Sequence, residues 1–379
     1  MSPDGWLIVV SAIGVGVLMP LVIRFRFIGP DRVGGVQALH VIPTSRLGGA
    51  TLAATFLAVA AAARLAGGTA LATSLPLALA ALPVVLVGVS EDVALHIRPR
   101  YRLLAAVASA ALASAFAGGT VPRIDLELID RFLPYTWVAL PITWFMVAGA
   151  CNAVNLIDGA NGLAAGSAVI MFGGIALMAS ASGDAATLAP ALAMIAVLAA
   201  FLCWNYPRGK VFLGDAGAYF VGFMYAELAI RLIARNEQVS PWYVILLAGY
   251  PIVDTLFAMY RRALQGRPLM APDAMHLHSL VFRRVAIPAE RSACGAAPGT
   301  PLGDEGRQRA NARVAPRLWL HGALCFALAV QFHDNTPALV ACLVAYAAFY
   351  VMRYRSLVAF GRRPRPKLAP LEQGADAAE

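Results

Sequence analysis

Charge is scarce in this chain. Only 13% of its 379 residues are Asp, Glu, Lys or Arg, against about 25% in a typical soluble globular domain. So few charges cannot build a water-facing surface of this length, which excludes an ordinary soluble enzyme. Cysteine is scarce too. Cys151, Cys203, Cys294, Cys325 and Cys342 form no Cys-x-x-Cys pair and no metal-ligand spacing. That excludes zinc ribbons and a disulfide framework; four of the five fall in or beside apolar runs, and the set reads as inert buried thiols. Alternating polar and apolar strands are missing, which argues against a membrane barrel. The first apolar run, 6–23, is too long for a signal-peptide core and no basic segment precedes it, so it reads as a membrane span. No inverted repeat of the transporter kind is visible.

What the chain has instead is apolar length. Hydrophobic residues make up 60% of it and the mean hydropathy is +0.69. Apolar runs of about 17–20 residues match a hydrocarbon core about 30 Å thick, because a helix rises about 1.5 Å per residue. Backbone in lipid must satisfy its own hydrogen bonds, which favours helices. The expected fold is an all-α polytopic transmembrane helix bundle of about eleven spans, at 6–23, 48–66, 71–89, 103–117, 136–150, 163–181, 187–205, 213–232, 241–259, 317–333 and 337–352. Residues 1–352 read as one integral-membrane domain. Within it 286–316, rich in Ala, Gly, Pro and Arg, reads as a flexible cytoplasmic segment, and 353–379 reads as a basic, disordered cytoplasmic tail.

Charge orients the spans. With the amino terminus outside, the inside loops hold 25 of the 30 basic residues, among them Arg24, Arg26, Arg32, Arg46, Arg98, Arg100 and Arg102. The positive-inside rule favours this orientation, which also leaves the carboxyl terminus cytoplasmic. The net charge of +9 then reflects topology and anionic lipid rather than nucleic acid. The inside loops are long and polar and the outside ones mostly short, so function is expected on the cytoplasmic face.

Polar groups gather at those inside edges. Asn152-Ala-Val-Asn-Leu-Ile-Asp-Gly-Ala-Asn-Gly162 carries Asn152, Asn155, Asp158 and Asn161 three residues apart, a spacing that puts them on one side of a helical turn. Such amides also serve as caps and interhelical hydrogen-bond partners. In His40-Val-Ile-Pro-Thr-Ser-Arg-Leu-Gly-Gly49, Arg46 could hold a phosphate through its planar fork or be one more inside arginine. Glu91 and Asp92 stand adjacent at a span end, able to share a Mg²⁺ or accept a proton, or to be countered by nearby arginines. Lys210-Val-Phe-Leu-Gly-Asp-Ala-Gly217 offers Asp215 as a hard ligand for Mg²⁺, and Phe212 to stack on a base or simply to sit at a membrane edge. Pro272-Asp-Ala-Met-His276-Leu-His278, followed by Arg283 and Arg284, suits a pyrophosphate; zinc is disfavoured because no third histidine or thiol lies near. Asp254 and Glu227 fall inside apolar runs, where Asp254 would pair with Arg261 or Arg262 or line a cavity.

These motifs, in this order and spacing, resemble the polyprenyl-phosphate N-acetylhexosamine-1-phosphate transferases, family 4 of the glycosyltransferases, over about residues 30–285. Pro43-Thr-Ser-Arg-Leu-Gly-Gly49 and His276-Leu-His278 look more like the N-acetylglucosamine-type branch than the phospho-N-acetylmuramoyl-pentapeptide translocase, which stays open within the family. The resemblance implies a bacterial inner-membrane enzyme that transfers N-acetylhexosamine-1-phosphate from a UDP-sugar to undecaprenyl phosphate with release of UMP, initiating a cell-surface polysaccharide of O-antigen type. It implies Mg²⁺, with Mn²⁺ as a substitute, on Asp215 with Asp92 nearby; Phe212 stacked on uracil; Asn152, Asn155, Asp158 and Asn161 about the nucleotide-sugar; His276, His278, Arg283, Arg284 and Arg46 toward phosphates; and Asp92 or Glu91 near the lipid phosphate. A homodimer is compatible with it. The chain departs from the family's pattern at Glu91, where Asp is usual, and at Asn161, which replaces a second Asp. A transporter of a lipid-linked or anionic solute, and an inactive scaffold, are the readings from other classes. Polar clusters at span ends on one face, rather than at midplane, weigh against the transporter.

Overall fold

The computed structural model describes residues 2–24, 44–93, 97–268, 273–297 and 300–360. The expectations placed on Arg32, His40, Pro43 and Pro272, and on 361–379, lie outside the described residues. The described residues are all-helical: α1 (Pro3–Arg24), α2 (Gly48–Leu65), α3 (Leu75–Ala80), α4 (Leu82–Asp92), α5 (Pro99–Phe116), α6 (Glu127–Asp130), α7 (Thr136–Ile157), α8 (Leu163–Ala181), α9 (Ala185–Asn205), α10 (Gly214–Arg235), α11 (Pro241–Leu247), α12 (Gly249–Leu264), α13 (Leu277–Val281), α14 (Ile287–Ala293), α15 (Asp304–Ala312), α16 (Val314–Gln331) and α17 (Thr336–Phe360).

Eight helices among the described residues are long and apolar enough to cross a membrane, or up to ten if each of two bent pairs counts as one span. The bent pairs are Ala70–Ala80, which ends in α3, with α4, at 55°, and α11 with α12, at 77°. Each break has a proline behind it. Pro83 and Pro251 have no N–H to donate to the carbonyl four residues back, so the helix bends just before each ring. The fourth expected run, 103–117, falls on α5, whose first turn carries Arg100 and Arg102; it is a helix but not among the eight to ten.

α10 is the axis of the bundle. It is buried without interruption from Gly214 to Ile230, and α7, α4, α2 and α8 pack around it. Its 22 residues span about 33 Å at 1.5 Å each, so Asp215 and Arg235 sit at opposite ends. The Arg235 end is closed by a self-satisfied network: Asp184 accepts from Arg235 Nε at 2.8 Å and from the Thr187 hydroxyl at 2.6 Å. α1 lies on α9 and α2 at the periphery.

Two stretches at the carboxyl-terminal side contain helix. The segment 286–316 contains α14 and α15, tied by Glu290, which accepts from Arg309 Nε at 2.6 Å and from Arg313 Nε at 3.0 Å. A buried Glu290 under two half-exposed arginines joins these helices, in a composition that shows no helical period. The tail expected from 353 begins as helix, because Tyr354 and Leu357 are buried and Arg261 reaches the Tyr354 hydroxyl at 2.8 Å.

Candidate active site

Two helices, α2 and α4, converge on the start of α10. Their approach depends on small residues. A Cβ at Gly49 would lie 2.1 Å from Gly217 Cα, and one at Gly88 would lie 2.4 Å from Ala216 Cα, so neither α2 nor α4 could reach α10 with a larger side chain. Backbone completes the seam: Gly48 N–H donates to Phe212 O at 3.1 Å, Gly49 N–H to Leu213 O at 2.9 Å, and Phe212 N–H to Ser45 O at 2.9 Å. The free amides that open α2 are thereby satisfied by the carbonyls that precede α10.

Asp92, the last residue of α4, is 2% exposed. Its two oxygens accept from the Asp215 and Ala216 amides at 2.9 and 3.0 Å. It thus caps α10 from another helix, where a carboxylate also meets the positive end of the helix dipole. Gly214 makes the turn that aims these amides, at φ +70°, a left-handed conformation that favours glycine.

Asp215 faces the other way. Its Oδ1 accepts from Arg46 Nη2 at 2.9 Å and from Asn155 Nδ2 at 3.2 Å, and its Oδ2 from Arg102 Nη1 at 2.5 Å. Arg46 also lies 3.3 Å from Asp92 Oδ1. Two guanidiniums, each about a quarter exposed at 27% and 21%, therefore rest on two buried carboxylates. Arg102 was missed by sequence reasoning, which counted it only as an inside charge; no local pattern distinguishes it from Arg98 or Arg100. The acidic pair separates: Glu91 accepts from Ile97 N–H at 2.5 Å and closes its own loop.

The 152–162 stretch is helical only in part. α7 ends at Ile157, so Asn152 and Asn155 share a helical face, but Asp158 and Asn161 do not continue it. Asp158 is half-buried just past the helix end, its N–H on Asn155 O at 3.2 Å. Asn161 is buried and held by protein: its N–H donates to Asn311 Oδ1 at 2.8 Å and its Nδ2 to Pro207 O at 3.0 Å. It ties the α7–α8 turn to α15 and is not brought to the Asp215 cluster.

The histidine loop joins the same site through that stretch. A Cβ on Gly159 would lie 2.2 Å from His278 Nε2, so the turn beside Asp158 rests against this imidazole while Asn155 reaches Asp215. His276 and His278 stack with ring centroids 5.7 Å apart and planes within 6°. Burial and the neighbouring His276 push the His278 imidazole down to about 4. Arg283 and Arg284 are exposed; Arg283 folds back on Ser279 O at 3.2 Å and on Ala274 O. Phe212 is half-buried at the edge of the cluster.

Asp254 pairs with neither of the arginines expected for it. Arg261 and Arg262 lie on Asp273. Burial works to raise the Asp273 carboxyl, but the Met275 N–H and the Arg261 guanidinium hold it below the ordinary carboxylate range. Asp254 instead meets His276, Oδ2 to Nδ1 at 2.6 Å.

A metal fits this donor set at one position. At Asp215 both oxygens meet side chains and no backbone amide, whereas both Asp92 oxygens are taken by backbone amides, and a single hard carboxylate beside phosphate oxygens is what Mg²⁺ takes from a protein. Among the described residues no group of three or more acid, histidine or cysteine side chains is arranged to hold a metal by itself.

Residues 74–233 match the family model for glycosyl transferase family 4. A probable undecaprenyl-phosphate N-acetylglucosaminyl 1-phosphate transferase of Bacillus subtilis (strain 168) is 30% identical over 277 residues, covering 71% of this chain and 75% of that protein. An undecaprenyl-phosphate alpha-N-acetylglucosaminyl 1-phosphate transferase of Yersinia pestis is 30% identical over 201 residues, 51% of this chain and 53% of that protein. Its counterpart in Escherichia coli (strain K12) is 31% identical over 147 residues, 38% and 40% respectively.

Proposed function

The chain belongs to glycosyl transferase family 4, and from that premise we propose that it transfers N-acetylhexosamine-1-phosphate from a UDP-sugar to undecaprenyl phosphate in a bacterial cytoplasmic membrane, releasing UMP on the cytoplasmic face. A lipid-phosphate oxygen attacks the β-phosphorus of the nucleotide-sugar. The bond from that phosphorus to the bridging oxygen breaks, and UMP leaves with the electron pair. The acceptor is already an anion, so the enzyme's tasks are positioning and charge neutralisation.

The observation that carries this reading is the convergence of Arg46, Arg102 and Asn155 on Asp215, with the His276–His278 loop against Gly159. The two guanidiniums are the groups to receive phosphate oxygens, because their forks match that geometry. Asp215 would hold Mg²⁺, which supplies charge neutralisation to the phosphates when bound. Asp92 keeps Asp215 at its place by capping α10, rather than serving as a second ligand. Asn152 and Asp158, beside Asn155, suit the sugar or ribose hydroxyls, and Phe212 suits the uracil face. Arg283 and Arg284 are exposed cations beside the histidine loop and suit outer phosphate oxygens. The names of the relatives support a GlcNAc-type donor, and initiation of a surface polysaccharide follows from such a product.

The test is purified protein in detergent with undecaprenyl phosphate, Mg²⁺ and a panel of UDP-N-acetylhexosamines. UMP release that requires the lipid phosphate is expected with at least one donor. A folded preparation that releases none, with Mg²⁺ or Mn²⁺, overturns the reading. Flux of an anionic solute into proteoliposomes without turnover would put a transporter in its place.

A further inference from the structure

The Asp254 carboxylate is 1% exposed and lies in the first half of α12, 22 residues from the histidine it touches. All its contacts are directional. Oδ2 meets His276 Nδ1 at 2.6 Å, while Oδ1 accepts from Leu277 N–H at 3.2 Å and from the Tyr350 hydroxyl at 2.6 Å. A carboxylate can only accept, so Nδ1 carries the proton of that hydrogen bond. His276 Nε2, buried, has no hydrogen-bond partner among the described residues. A buried nitrogen without a partner costs free energy unless something arrives to use it. The Leu277 amide beside the ring is held by the same carboxylate, so backbone and side chain of the loop are fixed together.

We propose that Asp254 is the positioning residue of the histidine loop: it locks His276 in the Nδ1–H tautomer, braced by Tyr350 from α17, so that Nε2 is the atom presented to the substrate's phosphates. This rests on the transferase reading for the identity of the ligand, not for the tautomer. When a phosphate oxygen approaches, Nε2 takes up a proton from solvent and donates it in a hydrogen bond, and Asp254 balances the resulting imidazolium. The same logic orients metal-bound histidines through an outer carboxylate.

The substitution Asp254→Asn makes a specific reversal. Leu277 N–H and Tyr350 O–H both need an acceptor, so the Asn oxygen stays with them and its NH₂ turns to His276. That group donates to Nδ1, leaving Nδ1 bare and the proton on Nε2. The ring can still donate to a phosphate, but as a neutral donor without the charge.

The experiment is ¹⁵N NMR of histidine-labelled full-length protein in detergent, with His276 assigned by His276→Ala. Wild type is expected to show a protonated Nδ1 and a bare Nε2, and Nε2 is expected to become protonated on addition of UDP. Asp254→Asn is expected to show the opposite tautomer. Alongside, kcat/KM of Asp254→Asn should fall roughly tenfold, the difference between charged and neutral hydrogen bonds. The double variant with His276→Ala should be no worse than His276→Ala within twofold. A bare Nδ1 in wild type, or losses that multiply in the double variant, overturns the proposal. If Asp254→Asn fails to fold, the wild-type tautomer still decides. If wild type shows the Nδ1–H tautomer yet neither binds UDP nor turns over, the transferase reading fails and the positioning role stands.

Discussion

Asp92 and Asp215 are joined across 123 residues by a hydrogen bond from the Asp215 amide to Asp92 Oδ1 at 2.9 Å. The two acids divide the work of one site: one fixes the backbone, and the other offers its side chain.

Asp92→Asn keeps the shape but has a single acceptor oxygen, so either the Asp215 or the Ala216 amide is left buried without a partner. A loss of about 1–3 kcal/mol is expected, read as a fall in melting temperature in detergent. Transfer should fall at least tenfold, since Asp215 shifts with the start of its helix. Unchanged stability would remove the capping role.

Gly88→Ala would put a methyl 2.4 Å from Ala216 Cα, whereas a Cβ at Gly149, on α7, meets nothing within 4 Å. Forced separation of packed backbones costs about 1–3 kcal/mol or more. Gly88→Ala should therefore lower stability and activity together, while Gly149→Ala leaves both as they are. Thermal unfolding of the pair checks this.

Arg102→Ala removes the partner of Asp215 Oδ2. Breaking a buried pair is costly, but Asp215 keeps Arg46 and Arg102 is 21% exposed, so the cost is nearer about 1–3 kcal/mol than the value for full burial. Activity should fall further than Arg102→Lys, which keeps charge without the fork. KM for the UDP-sugar and for undecaprenyl phosphate, measured separately, tells which phosphate Arg102 serves.

His278 ties stability to pH. Its imidazole is pushed down to about 4 in the fold and returns to about 6.5 when unfolded. Between those values the unfolded chain binds the extra proton, so stability rises with pH there. The contribution is complete above about 6.5 and is lost as pH falls toward 4. Melting temperature against pH should be steeper for wild type than for His278→Gln over that window; parallel curves would contradict it.

The all-helical membrane character, the polar edges of the spans and the motif positions were legible because each depends on residues close in sequence. Run length against bilayer thickness, and local clustering of amides, acids and histidines, need no partner to be seen. What only tertiary structure decided is which of those groups come together. Asn161 follows the same three-residue spacing as Asn155, yet α7 stops at Ile157 and Asn161 bonds to Asn311, 150 residues away. Arg102 is one of three similar arginines until α5 packs beside α10 and brings it to Asp215, 113 residues on. Asp254 lies on α12, beyond the 77° bend, and on that helix it meets His276 rather than Arg261. Helix crossings set by glycines and proline breaks choose these partners, and neither leaves a periodic trace in the chain. The sequence by itself determined that polar chemistry would sit at the ends of buried helices; the packing around α10 decided that Asp92 holds the backbone and Asp215 the charge.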